Sequence, residues 1–263
     1  LKNYKMTKLP KERRVVWDLL RDTDSYYLNH HVFMIDFTKV DEIRAMFSKK
    51  NMKPPSYVAF MLYAISRVLK SHKKFNSYLR EFPTAKLASY EGIDICLTAE
   101  MKKKDGSETV ALSVIRNADG KKFMDIINHL GTLKNIKHDE TPEYKNYELF
   151  KMLPNFIRMT LFRLFCKPFP DRMREIGGTC AFTSVGKYGV DFTTPLSPRS
   201  ITFSLGRVAE RPVVVDKKIE ARSSAYVTLT YDHRIADGAD CAKLGTDLRN
   251  FIENYDGMAI FND

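Results

Sequence analysis

Apolar side chains recur along this chain with two spacings, and the changes between them mark its elements. After Pro10, the stretch Lys11–Leu20 sets Val16, Leu19 and Leu20 at helical spacing, which predicts a first helix with those residues on its apolar face. Tyr26–Phe37 alternates instead, with His31, Phe33, Ile35 and Phe37 on one side, the period of a strand. Asp41–Lys50 is a short amphipathic helix. Pro54-Pro55-Ser56 then opens a longer one, with Val58, Met61, Leu62, Ile65, Val68 and Leu69 along one stripe. Lys86–Ser89, Ile93–Met101 and Thr109–Ile115 read as strands, the last two joined by a polar turn through Lys104-Asp105-Gly106. Lys121–Lys134 returns to helix. Thr179–Thr183, Ser200–Val208, Val213–Asp216 and Ile219–Tyr231 supply more strand, with a turn at Asp216–Ile219, and a final helix runs over Gly238–Glu253. Helices and strands alternate with neither an internal repeat nor a low-complexity linker, so an α/β fold is expected.

At 263 residues the chain can bury one large core, and a single domain over 1–263 is expected. No apolar run reaches the roughly 18 to 20 residues that a membrane span needs. The first residues lack an apolar signal region, so a cytoplasmic location is the expectation. The net charge of +11 fits either a solvated basic surface or attraction of an anionic ligand. Nucleic-acid binding is not expected, because no zinc-finger spacing, RNP-like string or helix-turn-helix pattern accompanies the charge. Cys96, Cys166, Cys180 and Cys241 are scattered without a C-x-x-C pair, which fits reduced thiols rather than a disulfide framework or a zinc site.

The chemistry concentrates in Tyr231-Asp232-His233-Arg234-Ile235-Ala236-Asp237-Gly238. A β-branched and aromatic stretch leads into it, so His233 stands at a strand end with the Asp237 carboxylate four residues on. Imidazole is the side chain whose ordinary pKa lies near neutrality, which suits it to general-base work. Asp232 and Arg234, on the opposite strand face, are assigned to structural ion pairing. Metal ligation by His233 and Asp237 would need a helix, which Gly238 argues against, and no third ligand lies close in sequence; no metal is expected. A serine hydrolase is not indicated, because no G-x-S-x-G elbow occurs.

That string resembles the active-site signature of the acyltransferase components of 2-oxoacid dehydrogenase complexes and, more loosely, the histidine motif of chloramphenicol acetyltransferase. The likeness extends to Leu205–Val215, similar to the hairpin ahead of the histidine strand, and to Gly178–Gly186, similar to the strand bearing a serine or threonine. Val114–Asp119 and the helix at about 56–70, followed by Phe75-Asn76, fit as well. The resemblance implies a chloramphenicol acetyltransferase-like mixed β-sheet backed by helices, forming trimers with active sites between subunits. It implies His233 as the general base that takes the proton of a thiol attacking an acyl carbonyl. It implies Thr183 as the hydroxyl that steadies the oxyanion, with Ser184 as the alternative should the strand register slip. Asp237 either orients His233 or is a structural carboxylate, and Arg13 or Arg14 is then the candidate partner. Coenzyme A and acyl-CoA enter as substrates; no tightly bound cofactor is expected, and the residues touching coenzyme A are not legible.

One stretch departs from the family. His138–Glu175, short in relatives, here carries an aromatic and basic insertion whose Leu153–Phe165 part is an amphipathic helix between Pro154 and Pro168. It suits a helix packed on the domain or a neighbouring subunit, a lid over a substrate channel, or a membrane-surface helix; membrane contact is the least expected of these. Neither a lipoyl domain nor a subunit-binding domain is present, and Tyr255–Asp263 shows little of the family's usual ending, so a cubic or dodecahedral core is not assumed. The expected function is coenzyme A-dependent acyl transfer between thiols or to another small acceptor, without an acyl-enzyme. The alternative is a catalytically silent scaffold or binding protein on the same trimeric fold.

Overall fold

The computed structural model describes residues 4–7, 11–102, 104, 106, 108–137 and 153–255. Its centre is a mixed sheet in the order β1-β9-β7-β6-β4-β5, formed by β1 (Leu28–Asp36), β4 (Ile95–Lys102), β5 (Glu108–Ile115), β6 (Cys180–Ser184), β7 (Ile201–Leu205) and β9 (Lys218–Asp232). The strands β4, β6 and β7 are parallel, while β1, β9 and β5 run antiparallel to their neighbours. The second half of β9 is paired on both sides, with β1 and with β7. Its first half forms a hairpin with β8 (Ala209–Val215). A separate ribbon pairs β2 (Ser77–Arg80) with β3 (Lys86–Ser89).

Strand alternation assigns each residue to a face. Ile35, Ala225, Val227, Leu229, Tyr231, Ile201, Phe203, Leu205, Cys180, Phe182, Ile95 and Leu97 all join one hydrophobic core. The helices supply the other half of that core: α2 (Thr38–Lys49), α3 (Tyr57–Val68), α4 (Phe123–Asn135) and α7 (Gly238–Glu253). Helix α3 is nearly all apolar and is buried from Ala59 to Ser66, packed between α4 and α7. It begins where the sequence predicts, with the Ser56 hydroxyl accepting the Ala59 N–H at 3.3 Å. Each large side chain buried here is worth about 1.5–3 kcal/mol.

On the opposite face the central strands carry hydroxyls, while Val32 and Met34 of β1 and Val110 and Leu112 of β5 lie exposed toward the edges. Register places Thr183 beside Ser204, and Ser204 beside Thr228, across β6, β7 and β9. Thr98 of β4 extends this row of hydroxyls, one residue beyond the last β4–β6 pair, Leu97 with Phe182.

Several expectations need amendment. Val16 and Leu20 of α1 (Lys11–Asp22) are 38% and 39% exposed, and the Leu19 side chain lies outside the described residues. The contacts described for this helix include ion pairs. Asp18 pairs with Arg158 of α5 (Asn155–Phe165) at 2.6 Å, and Asp22 pairs with Lys167 at 2.6 Å, each carboxylate largely buried. Strand β8 begins four residues before the predicted Val213, and β2 and α6 (Pro170–Gly177) are additional elements. The first part of the 138–175 insertion and most of Tyr255–Asp263 lie outside the described residues.

Gly178 shows how tightly the entry to β6 is built. Its φ of +69° suits glycine, and a Cβ there would stand 2.5 Å from the Asp94 carbonyl oxygen. Backbone cannot yield as a flexible side chain can. Gly178→Ala is therefore expected to lower the unfolding free energy by about 2–4 kcal/mol in urea denaturation, combining left-handed strain with overpacking. A change within about 0.5 kcal/mol, the range of neutral surface substitutions, would show that the close approach is not real.

Candidate functional site

The end of β9 is held by a buried ion pair. Asp232 is fully buried, and the Arg234 guanidinium donates to both its carboxylate oxygens at 2.6–3.0 Å. Arg234 also reaches Glu81 at 2.7 Å and lies over the Tyr26 ring at 4.6 Å. The residue between them, His233, donates its backbone N–H to the Tyr27 carbonyl at 2.8 Å. Backbone and both flanking side chains are thus fixed, while the imidazole itself is exposed. Its ring lies 5.7 Å from that of Tyr231, which in turn meets His31 at 5.3 Å and Phe75 at 6.0 Å. Burial pushes the Tyr231 phenol above its ordinary value.

Asp237 stands at the N-cap of α7 with its side chain exposed and not used for capping. Its charge adds to that of Asp240, whose hydrogen bond to Lys74 at 2.8 Å keeps the ammonium protonated. A bond from Asp237 to Arg13 or Arg14 is not among the ion pairs of the described residues. Charged contacts that tie α1 to its surroundings include Asp18 with Arg158 and Asp22 with Lys167.

The two candidate hydroxyls are separated by strand alternation. Ser184 shares the parity of the buried Cys180 and Phe182, and its hydroxyl donates to the Leu205 carbonyl at 2.9 Å. Thr183 points to the polar face, where its Oγ1 lies 2.8 Å from Oγ1 of Thr98. Thr98 was not singled out from sequence. Its outward parity in β4, one position past the core residue Leu97, was the available signal.

Register also fixes how far apart the base and this hydroxyl stand. From Thr183 the sheet leads across two strands to Thr228 and then along β9 to His233. Those steps amount to roughly 19 Å. His233 lies beside Tyr231 on the helix-covered side, whereas Thr183 is on the other face. Within one chain the two groups cannot act on the same carbonyl.

Asp94 anchors the start of β6. Its carboxylate receives Arg174 at 2.8 and 3.1 Å, Arg116 at 3.1 Å and the Asn117 N–H at 2.8 Å. Its carbonyl accepts the N–H groups of Thr179 and Cys180 at 2.8 and 3.2 Å. A surface cleft of about 520 Å³ is lined by Asp94, Arg116, Asn117, Asp171, Arg174 and Glu175, at this anchor and not at His233. Burial raises the Cys166 and Cys180 thiols and lifts Cys241 to about 12, which makes these three poor nucleophiles.

Fold and site together define an α/β protein whose mixed sheet presents one histidine at the end of a central strand and one hydroxyl on its polar face. The model of the family described as 2-oxoacid dehydrogenases acyltransferase (catalytic domain) matches residues 2–147 and 171–260. The chain belongs to that family. The unmatched residues, 148–170, fall inside the 138–175 stretch read as an insertion. A dihydrolipoyllysine-residue succinyltransferase component of the 2-oxoglutarate dehydrogenase complex from Rickettsia typhi is 26% identical over 232 residues, covering 86% of this chain and 49% of the relative. The chain thus spans about half the length of that curated relative. Among solved structures, a probable dihydrolipoamide acetyltransferase from Listeria monocytogenes superposes with a TM-score of 0.70 at 19% identity, covering 95% of each chain. A dihydrolipoamide acetyltransferase from Azotobacter vinelandii gives 0.69 at 19% identity, covering 95% of this chain and 92% of its own. At that identity the likeness shows a shared fold.

The Asp94 carboxylate yields a test with a definite sign. Burial alone would raise it, but hydrogen bonds from Arg174, the Asn117 N–H and Arg116 outweigh this and hold it below the ordinary 3.8. Its folded value lies below its unfolded one, so its contribution is present above about pH 4 and is lost as pH falls through the folded value. Asp94→Asn is expected to lower the urea midpoint at pH 7 and to flatten the loss of stability between about pH 4 and 2. An acid profile unchanged by the substitution would exclude this carboxylate as a source of that slope.

Proposed function

We propose that the chain is a cytoplasmic, homotrimeric, coenzyme A-dependent acyltransferase with active sites between subunits. No helix among the described residues is long and apolar enough to cross a membrane, which fits that location. The observation that carries the reading is the contrast at His233: a backbone and neighbours locked by Tyr27, Asp232 and Arg234, and a free, exposed imidazole. The succinyl- and acetyltransferase names of the family's members supply the substrate class. Crystallographic and enzymatic investigations of the Azotobacter enzyme addressed the role of a serine, a histidine and an asparagine four residues after it in the catalytic mechanism. In this chain Thr183, His233 and Asp237 are proposed for those places, so a threonine and an aspartate stand where that enzyme has a serine and an asparagine.

The chemistry follows from the groups. A thiol with an ordinary pKa near 8.5 is mostly protonated at neutral pH. His233 accepts its proton as sulfur attacks the thioester carbonyl. A new C–S bond forms, and the carbonyl pair moves onto oxygen. The hydroxyl of Thr183 from an adjacent subunit donates to that oxygen. When the tetrahedral adduct collapses, the original C–S bond breaks and the departing sulfur takes the proton back from the imidazolium. Protons and electrons balance without an acyl-enzyme or a metal. Asp237, four residues after His233 and close enough to Lys74 to favour its charge, is proposed either to orient or balance the imidazolium or to serve as a structural carboxylate. Dihydrolipoyl groups are the acceptor named for the relatives; here the acceptor is either such a group on a separate protein or another small thiol.

Thiol release from acetyl-CoA and succinyl-CoA with dihydrolipoamide tests the reading. His233→Ala is expected to lower kcat by about 10²–10⁴-fold, and Thr183→Ala by about 10²-fold. Turnover unchanged in His233→Ala would remove His233 as the general base, and no turnover by the wild type would leave a silent scaffold.

A further inference from the structure

We propose that Thr98 is a positioning residue that orients the Thr183 hydroxyl for catalysis. The inference rests on Thr183 being the oxyanion donor and adds a second residue to that function. Its basis is where the backbone ladder stops. The parallel pairing of β4 with β6 runs from Ile95–Cys180 to Leu97–Phe182 and ends one residue short of Thr183. On the β4 side, the next link is between side chains: Thr98 Oγ1 lies 2.8 Å from Thr183 Oγ1. Two residues further along the same face, Glu100 accepts hydrogen bonds from Lys187 and Tyr188, in the turn that follows β6. Side chains of β4 thus hold the end of β6 and the turn after it beyond the point where main-chain pairing gives out.

Proton accounting sets the direction of the Thr98–Thr183 bond. Each hydroxyl carries one proton and two lone pairs. If Thr183 donated to Thr98, its only proton would be occupied when the oxyanion forms. Donation by Thr98 leaves the Thr183 proton free to point from the sheet toward a bound carbonyl, and polarises that O–H through the chain of two bonds. Preorganisation of this kind helps the transition state more than it helps the bound substrate. The effect therefore belongs in kcat rather than in KM. A β-branched residue without the hydroxyl keeps the strand geometry, which makes Thr98→Val the informative change and Thr98→Ser the rescue.

The experiment measures acyl transfer between acetyl-CoA and dihydrolipoamide for the full-length wild type, Thr98→Val, Thr98→Ser, Thr183→Ala and the Thr98→Val/Thr183→Ala double variant. Thr98→Val is expected to lose about tenfold in kcat with both KM values within about twofold, and Thr98→Ser to recover to within about threefold of wild type. The double variant should be no slower than Thr183→Ala alone, because Thr98 acts only through Thr183. If Thr183→Ala is impaired while Thr98→Val keeps wild-type kcat, the inference fails and the oxyanion assignment stands. A Thr98→Val loss that multiplies onto Thr183→Ala, or that appears only in KM, also overturns it. A Thr183→Ala enzyme with wild-type turnover removes the assignment first and the inference with it. Thermal denaturation of Thr98→Val, expected to match wild type, separates loss of orientation from loss of fold.

Discussion

A pleated sheet sends successive side chains to opposite faces, and that constraint governs the rest of this structure. It gives the helices one continuous apolar surface and leaves the other face for hydroxyls. It also separates the two groups on which the proposed chemistry depends. His233 stands at the end of β9, beside Tyr231 on the helix side, while Thr183 projects from β6 on the polar side roughly 19 Å away by register. A base and an oxyanion donor acting on one carbonyl must approach within a few ångströms. If the two act on one carbonyl as proposed, a second chain must complete each site.

Both groups are braced by buried carboxylates. Asp232 binds Arg234 and fixes the turn that holds His233, and Asp94 gathers Arg174, Arg116 and the first N–H groups of β6. Removing one partner of such a buried pair typically costs about 3–5 kcal/mol, because the remaining charge is stranded. These ion pairs are more valuable as geometry than as net stabilisation. They place a backbone to within a hydrogen-bond length without using the reactive groups, so the imidazole stays free. On the polar face, Thr98 and Glu100 continue the same task with neutral and charged hydrogen bonds.

Much of this was legible in the sequence, for local reasons. The strand and turn around His233, the Ser56 cap of α3 and the apolar stripe of that helix all follow from spacing within a dozen residues. Alternation along Cys180–Ser184 separates Thr183 from Ser184 once the core residue Phe182 is known. Contacts between distant residues left no such trace. Nothing near Asp18 announces Arg158, 140 residues on, and the exposure of Val16 and Leu20 reverses what helical periodicity suggested for α1. Strand β2 escaped because Ser77–Arg80 is short and takes its identity from pairing with β3. Thr98 escaped because one outward threonine in a strand acquires meaning only from its neighbour across the sheet.

Subunit complementation addresses the shared site most directly. His233→Ala and Thr183→Ala proteins, each impaired alone, would be unfolded together, refolded as mixed trimers and assayed for acyl transfer. If every site takes its imidazole from one chain and its hydroxyl from the next, random mixing restores about a quarter of the sites. Recovery near that level is the predicted result. Mixed trimers no more active than their parents would contradict a site divided between chains.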